Sequence, residues 1–341
     1  MGIENFYNDK TFIIAELSAN HNQDFDLAVR TIKAMADAGA DAVKVQTYKP
    51  ESLVMNIDNA HFGTIKTGLW KGVTRYQLYK DACMPYEWHE PLKKAADECG
   101  LVFFSTPFDL EGVDVLEDVD IPIYKIASFE INDIPLIKKV ASCHKPIIMS
   151  TGVADYEDIR IAINACHEMG NDNISLLKCT SEYPATYDQA NLLTIPDMIK
   201  AFDCKVGVSD HTLGYIVPMT AVALGARIVE KHFILDRSLG GADSVFSMEP
   251  SEFRTMVDNI RAVEKTFGIV KKEITERDRS KRRALYATKD IAIGDTFMPE
   301  NIGSYRPADG LSPVYYERII GIKSKRFIPK GEPLLMEDLD V

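Results

Sequence analysis

Eight short apolar runs, each followed by a helical pattern, constrain the fold of this chain more than any other feature. They are FIIAEL (12–17), AVKVQTY (42–48), LVFFSTP (101–107), IYKIAS (123–128), PIIMST (146–151), ISLLKCTS (174–181), KVGVSDH (205–211) and RIVEKHFI (227–234). They are rich in Ile, Val and Phe without clean alternation, which is typical of parallel strands buried on both faces. Eight strand–helix units over about 260 residues have the size and number of a (β/α)8 TIM barrel.

The segments between these runs carry helix signals. Segment 24–39 begins with Asp24, a candidate N-cap, and ends at Gly39. Helices are also predicted over 155–170, 214–226 and 251–268. The main alternative to a barrel is a doubly wound open sheet. That fold is favoured by a glycine-rich phosphate loop after the first strand, and AELSANHNQ contains none.

Charge and composition exclude several classes of partner. The formal net charge of −12 argues against nucleic acid. No run approaches the roughly 18 consecutive apolar residues of a membrane span, and MGIENFYNDK lacks the apolar core of a signal peptide. The six cysteines form no C-x-x-C pair, which indicates reduced thiols in a cytoplasmic protein.

The sequence pattern of strand–helix units ends near residue 268, and a dense run of charged residues follows it. We expect a barrel over 1–268, a charged linker over 269–283 (IVKKEITERDRSKRR) and a small domain over 284–341. Within that domain, GDTFMPENI (294–302) and GEPLLMEDL (331–339) match position by position. The match suggests a module with pseudo-two-fold symmetry.

The connection over 49–85 is long for a barrel and contains the aromatic-rich stretch GLWKGVTRYQLY. Long connections of this kind are usually lids or partner contacts. The alternative is that the connection is a surface loop without a function.

Polar residues gather where the predicted strands end, and in a barrel those ends surround the active site. In strand order they are Glu16, Lys44, Gln46, Ser105, Thr106, Lys125, Ser128, Glu130, Ser150, Thr151, Thr180, Ser181, Tyr183, Ser209, Asp210, His211, Lys231 and His232. Any one of them has a structural explanation, such as a solvent-facing lysine or a serine helix cap. The joint pattern favours a site.

Two chemical functions suit this set. Lys44 and Lys125 lie inside strands, where a lysine is costly to bury without an anion, and nearby hydroxyls would complete a phosphate cradle. His211 and His232 end neighbouring strands, so both imidazoles would reach one divalent ion, Mn²⁺, Co²⁺ or Mg²⁺, with open coordination positions. Acid–base catalysis by one histidine is the alternative.

Several motifs together resemble the sialic acid synthase family, which makes nonulosonic acids from phosphoenolpyruvate. They are IAELSANHNQDFDLA, DAVKVQTY, YKIASFEI, STG, SDHTLG and EKHF, and the resemblance covers nearly the whole chain. Residues 281–341 resemble the family's antifreeze-like (SAF) domain. SANH in place of the commoner GVNHNG, with GLW and YEWH, is most similar to the pseudaminic acid synthase branch.

The resemblance implies a barrel enzyme that condenses phosphoenolpyruvate with an N-acetylated amino sugar in its aldehyde form. Carbon 3 attacks the aldehyde, water adds at carbon 2, and phosphate leaves with C–O cleavage. For the pseudaminic branch the sugar is 2,4-diacetamido-2,4,6-trideoxy-L-altrose.

The family's functional positions are matched residue by residue. His211 and His232 match metal ligands, and Glu16 matches a carboxylate that stabilises positive charge at carbon 2 or binds the sugar. Glu130 lies close to the position of another candidate acid/base, but the local spacing differs from that of the family. The phosphoenolpyruvate positions are matched by Lys44, Thr106, Lys125, Ser150, Ser181 and Ser209, although Ser181 replaces a common Asn. The sugar positions are matched by Gln46, Tyr183 and Asp243, and GGADS around Asp243 departs from the commoner GPDH.

Arg306, in YRPADG, matches an arginine that the SAF domain inserts into the partner subunit's barrel to bind the sugar. The resemblance therefore implies a domain-swapped homodimer. From the sequence alone, Arg306 would be assigned to a surface loop.

Three alternative functions stay open. The first is the same chemistry on N-acetylmannosamine or the legionaminic acid precursor. A Schiff-base keto-acid aldolase would use Lys44 or Lys125 and no metal. A non-enzymatic carbohydrate-binding or assembly protein would need neither histidine.

Overall fold

The computed structural model describes residues 10–340, so most of the segment inspected for a signal peptide lies outside the described residues. Its first eight strands are β1 Phe12–Glu16, β2 Ala42–Thr47, β3 Val102–Pro107, β4 Tyr124–Ile126, β5 Ile147–Ser150, β6 Ile174–Cys179, β7 Lys205–Asp210 and β8 Ile228–His232. Each lies in one predicted apolar run. They form a closed parallel barrel in chain order, with β1 paired to both β2 and β8. The predicted fold class is confirmed.

Helices follow the strands around the barrel. They are α1 Phe25–Asp37, α2 Pro50–Leu53, α3 Arg75–Ala82, α4 His89–Glu98, α5 Leu110–Asp118, α6 Ile134–Ala141, α7 Tyr156–Glu168, α8 Thr194–Phe202, α9 Ile216–Ala223 and α10 Pro250–Phe267. The Asp24 side chain accepts a hydrogen bond from Leu27 N and caps α1, as its sequence predicts. None of the helices within residues 10–340 combines the length and apolar composition needed to span a bilayer.

The barrel interior is apolar at one end and polar at the other. Alternate residues of each strand face inwards, and the inward positions at the N-terminal end form one apolar cluster. That cluster contains Phe12, Ile14, Ala42, Phe104, Ile123, Ile148, Leu177 and Ile228. The outward residues pack against the helices in the larger core. This cluster of eight residues is called the apolar plug below. The inward positions nearer the C-terminal ends of the strands carry the polar side chains, so these side chains lie at the C-terminal mouth.

The chain divides into two compact units after Phe267. The second unit contains α11 Glu276–Ser280, which lies in the segment predicted as a linker, and α12 Tyr316–Ile319. Its strands pair antiparallel, β9 Ala284–Ala287 with β10 Ile302–Tyr305 and β11 Lys323–Ser324 with β12 Leu339–Asp340.

The two matched sequence halves of the second unit are also matched in structure. Gly294 and Gly331 both have positive φ, of 81° and 91°, which a residue with a Cβ rarely adopts. Three residues after each glycine, Phe297 and Leu334 are fully buried in one core. The repeat therefore places equivalent turns and equivalent core residues in each half.

Candidate active site at the barrel mouth

Two lysines and two carboxylates form the floor of the polar cavity. Glu16, on β1, lies 3.1 Å from Lys44 Nζ, on β2. Oε1 of Glu230, on β8, lies 3.5 Å from Lys44 Nζ and 3.7 Å from Lys125 Nζ on β4. All four side chains are almost completely buried. The lysines therefore lie close together across the barrel, held by one shared carboxylate.

Hydroxyl groups surround the lysines. Lys125 Nζ donates to Ser150 Oγ at 2.7 Å, and Lys44 Nζ lies 3.4 Å from Thr106 Oγ1. Ser209 Oγ donates to Glu230 Oε1 at 3.1 Å. These three hydroxyls were predicted to complete an anion cradle. The structure brings Ser150 and Thr106 to the lysines, and Ser209 to the carboxylate that the lysines share.

Burial and charge move the pKa values of this group apart. Burial raises the pKa of Glu16 to about 7, although Lys44 opposes the shift. Burial would also raise the pKa of Glu230, but Lys125 and Lys44 together hold it below its ordinary value. Burial lowers the pKa of Lys125, and Glu230 opposes this only partly. Near neutral pH, Glu230 is therefore the ionised carboxylate between the lysines, and Glu16 is present in both its protonated and its ionised form.

The two predicted histidines converge. The ring centroids of His211 and His232 are 5.3 Å apart. His211 Nδ1 donates to the Thr180 carbonyl oxygen at 2.9 Å, which leaves Nε2 as the lone-pair nitrogen. His232 Nδ1 is buried and makes no hydrogen bond, since Asp243 Oδ2 at 3.6 Å is too distant.

These nitrogens fit a divalent ion. A metal ion would give the buried Nδ1 nitrogen of His232 the partner that no protein group supplies. The hydrogen bond from His211 to a carbonyl oxygen orients its ring as in many metal sites. Burial, followed by His211 and Lys44, lowers the pKa of His232 well below its ordinary value, so His232 is neutral. Among the described residues no group of three or more His, Cys, Asp or Glu side chains is arranged to hold a metal. Two protein ligands would leave positions for substrate and water.

A hydrogen-bonded chain joins Glu16 to the loop after β8. Gln46 Nε2 donates to Glu16 Oε1 at 3.0 Å and to Ser18 Oγ at 2.9 Å. Ser18 Oγ in turn donates to Asp243 Oδ2 at 2.5 Å. The predicted sugar residues Gln46 and Asp243 are thus brought together through Ser18, which the sequence analysis did not identify.

Aromatic rings line the side of the cavity near the histidines. Tyr183 lies 4.5 Å from His211 and 5.3 Å from Phe246, measured between ring centroids. Phe246 also lies 4.9 Å from His232. The indole of Trp70, from the 49–85 connection, lies 6.0 Å from the Tyr183 ring.

Three side chains close over Gly152. A Cβ at that position would collide with Ser181 Oγ and would lie 2.9 Å from Ser128 Oγ and 3.2 Å from Cys179 Sγ. Ser128 Oγ also accepts a hydrogen bond from Gly152 N at 3.1 Å. Ser181 and Ser128 therefore lie side by side over Gly152, where only glycine fits beneath them.

Glu130 lies in a short 3₁₀ turn after β4. Burial raises its pKa to about 7, against the field of Lys125, and its Oε2 atom is buried without a hydrogen bond. Such a carboxyl is suited to proton transfer near neutral pH.

Two predictions, on β7 and β8, were wrong. Lys231 was placed at the mouth with His232, and Asp210 of β7 with His211. Alternation turns both side chains outwards, where Lys231 Nζ lies 2.5 Å from Asp210 Oδ2. Glu230 faces inwards instead, two residues before His232. Its even spacing from Ile228 and His232 was the available signal, and it was missed.

Arg306 is exposed and belongs to the second unit. Its assignment to the sugar stays a prediction.

Known proteins resemble the chain over most of its length. The model of the NeuB family matches residues 31–272, and that of the SAF domain matches residues 282–340. The pseudaminic acid synthase of Campylobacter jejuni is 44% identical, over 99% of both chains. The N,N'-diacetyllegionaminic acid synthase of the same species is 38% identical, over 96% of this chain and 99% of that one.

The solved N-acetylneuraminic acid synthetase of Leptospira borgpetersenii has a TM-score of 0.71 and 33% identity, and the match covers 80% of this chain and 90% of that one. The family match includes the strands that carry Lys44, Lys125, His211 and His232. The polar mouth, the barrel beneath it and the C-terminal domain together identify the chain as a member of the NeuB family.

Proposed function

We propose that the chain condenses phosphoenolpyruvate with 2,4-diacetamido-2,4,6-trideoxy-L-altrose and releases pseudaminic acid and phosphate. The observation that carries the proposal is the pair of buried lysines, Lys44 and Lys125, surrounded by hydroxyls. The 44% identity to a pseudaminic acid synthase favours this sugar over the legionaminic precursor, whose synthase is 38% identical.

The lysines bind the trianionic substrate. Phosphate and carboxylate oxygens replace Glu230 as the partners of Lys44 and Lys125, and Ser150 and Thr106 add hydroxyl donors. Each charge-assisted hydrogen bond contributes about 1.5–3 kcal/mol. Ser181 and Ser209 complete the cradle.

Carbon 3 of phosphoenolpyruvate forms a bond to the aldehyde carbon, and the aldehyde oxygen takes a proton. Water then adds at carbon 2, and the C–O bond to phosphate breaks as the 2-keto group forms. Glu130, with a pKa near 7, moves a proton at the aldehyde oxygen or the attacking water. Glu16 as carboxylate stabilises positive charge developing at carbon 2.

His211 and His232 would hold a divalent ion, with Mn²⁺, Mg²⁺ and Co²⁺ as candidates. When bound, the ion supplies Lewis-acid polarisation of the aldehyde carbonyl. Gln46, Tyr183 and Asp243 line the same side of the cavity and orient the sugar.

We also propose that the active form is a homodimer in which Arg306 reaches the partner's barrel. Exposed apolar side chains around the barrel mouth support this, because such a rim is a candidate for coverage by another surface. They include Phe129, Val153, Leu213, Leu239 and Val245, each about half exposed.

Phosphate release from phosphoenolpyruvate with Mn²⁺ tests the function. We expect release with the altrose derivative and little with N-acetylmannosamine or the legionaminic precursor. A preference for either of the other sugars would overturn the sugar assignment and keep the chemistry.

Borohydride trapping with pyruvate tests the Schiff-base alternative. Lys125 has the lowered pKa that an aldolase lysine needs, but it is held by Ser150 Oγ and the Ile126 carbonyl oxygen. We expect no covalent labelling of the protein.

A further inference from the structure

The middle of the 49–85 connection is attached to the barrel by very few hydrogen bonds. Within residues 10–340, one hydrogen bond joins residues 55–74 to anything outside that connection. It runs from Trp70 Nε1 to the Ala242 carbonyl oxygen, at 3.0 Å. Ala242 immediately precedes Asp243, so the bond attaches the connection beside the predicted sugar subsite.

Trp70 also extends the aromatic lining of the cavity. Its ring lies 6.0 Å from Tyr183, whose own ring lies 4.5 Å from His211. Trp70 is half-buried, while its neighbours Leu69 and Lys71 are exposed. The indole is therefore the inward-facing residue of an otherwise exposed stretch.

We propose that Trp70 determines sugar specificity, as the outer wall of the sugar subsite that packs against the sugar's methyl groups. The inference rests on the proposed function. The diacetamido trideoxy sugar carries two acetyl methyls and a C6 methyl, whereas N-acetylmannosamine has one acetyl methyl and a C6 hydroxyl. Ligand sites combine apolar walls with a few polar anchors, and Trp70 and Tyr183 provide an apolar wall beside Asp243.

The size of the effect follows from the chemistry. An apolar contact of one or two methyl groups changes kcat/KM about 10- to 100-fold. Trp70→Ala should raise the KM for the altrose derivative by that factor and leave the KM for phosphoenolpyruvate within about twofold. Trp70→Phe keeps a ring but loses the hydrogen bond to Ala242, and it should recover most of the sugar affinity. Lys71→Ala, next to it in the same stretch, is the matched control.

Fluorescence measures the contact without turnover. The chain contains two tryptophans, Trp70 and Trp88, and Trp88 packs against Phe25 and His21 at 5.5 Å from each. Trp88→Phe leaves Trp70 as the single indole. Titrating this variant with the altrose derivative, in EDTA and without phosphoenolpyruvate, should give a saturable change in emission. N-acetylmannosamine should give a weaker change.

The outcomes separate the two proposals. If the enzyme turns over the altrose derivative but Trp70→Ala keeps the wild-type sugar KM and the emission is unchanged, the inference is overturned and the function stands. If Trp70→Ala and Trp70→Phe raise both KM values equally, Trp70 is a fold residue and not a specificity determinant. If no sugar supports phosphate release by the wild-type enzyme, the proposed function fails.

Discussion

Glu230 Oε1 lies 3.5 Å from Lys44 Nζ and so joins β8 to β2 over the strand β1 that lies between them. The same oxygen lies 3.7 Å from Lys125 Nζ. One carboxylate is thus the shared ion-pair partner of the two lysines that are proposed to bind phosphoenolpyruvate, and we expect the bound substrate to replace it in that position.

Glu230→Gln should destabilise the fold, because it leaves the buried charges of Lys44 and Lys125 without their shared carboxylate. Removing one partner of a buried ion pair typically costs about 3–5 kcal/mol, and we expect that loss in the free energy of unfolding. Phosphate, or phosphoenolpyruvate at about a hundred times its Kd, should restore up to about 2.7 kcal/mol. Denaturant titrations with and without phosphate measure both quantities.

The control for Glu230 is Glu252→Gln, which breaks the partly exposed pair between Arg237 and Glu252. It should cost less than about 1 kcal/mol and show no phosphate effect. Equal losses in the two variants would contradict a special role for Glu230.

Glu130→Gln should stabilise the substrate-free protein at high pH. The pKa of Glu130 is raised from 4.5 to about 7, so the folded state holds the proton more tightly than the unfolded state. That contribution is complete below pH 4.5 and is lost as the pH rises through 7. Glutamine does not ionise, so the variant should be about 2–3 kcal/mol more stable at pH 8 and little different at pH 4.5.

Unfolding free energies at the two pH values check this prediction for Glu130, and Glu98→Gln on the exposed face of α4 is the control. If Glu130→Gln and wild type change in parallel with pH, the raised pKa is wrong. We expect the stabilised variant to lose activity, because it has no proton to transfer.

His211→Ala and His232→Ala should each reduce turnover by at least about a hundredfold, because each removes a ligand of the proposed ion. Both variants should stay folded. Isothermal titration with Mn²⁺ should detect binding to wild type and to His167→Ala, an exposed residue of α7, and not to the two cavity variants. Wild-type turnover in either cavity variant would remove that histidine from the metal site.

Mixing two defective subunits tests the domain-swapped dimer. A heterodimer of Arg306→Ala and His211→Ala chains has one barrel with both an intact His211 and an intact partner arginine. After random exchange of equal amounts, about a quarter of the wild-type sites should be active at low sugar concentration. If Arg306 serves its own barrel, mixing will restore nothing.

The fold followed from the sequence because each strand–helix unit carries its own signal. Apolar runs located all eight strands, and the Asp24 cap marked the start of α1. The lysines, hydroxyls and histidines were found because a barrel collects the ends of its strands at one mouth.

Other features of the candidate site could not be predicted from the sequence, because they depend on contacts between residues that are far apart in the chain. Lys231 was chosen over Glu230 because the strand looked uniformly buried, and only alternation within the closed barrel decides which of them faces inwards. Trp70 and Ala242 are 172 positions apart, and no local pattern predicts that hydrogen bond. Ser18 was missed because its importance lies in joining Gln46 to Asp243.

The apolar plug at the N-terminal end of the barrel has a consequence for kinetics. The cluster that contains Phe12, Phe104 and Leu177 closes that end, so ligands enter and leave the cavity by one opening. Lys44 and Lys125 lie deep and fully buried, whereas Tyr183 and Trp70 lie nearer solvent. We therefore expect phosphoenolpyruvate to bind before the sugar during turnover, and phosphate to leave after the nine-carbon product. The order in which the two substrates bind then follows from the depth at which each of them lies in the barrel.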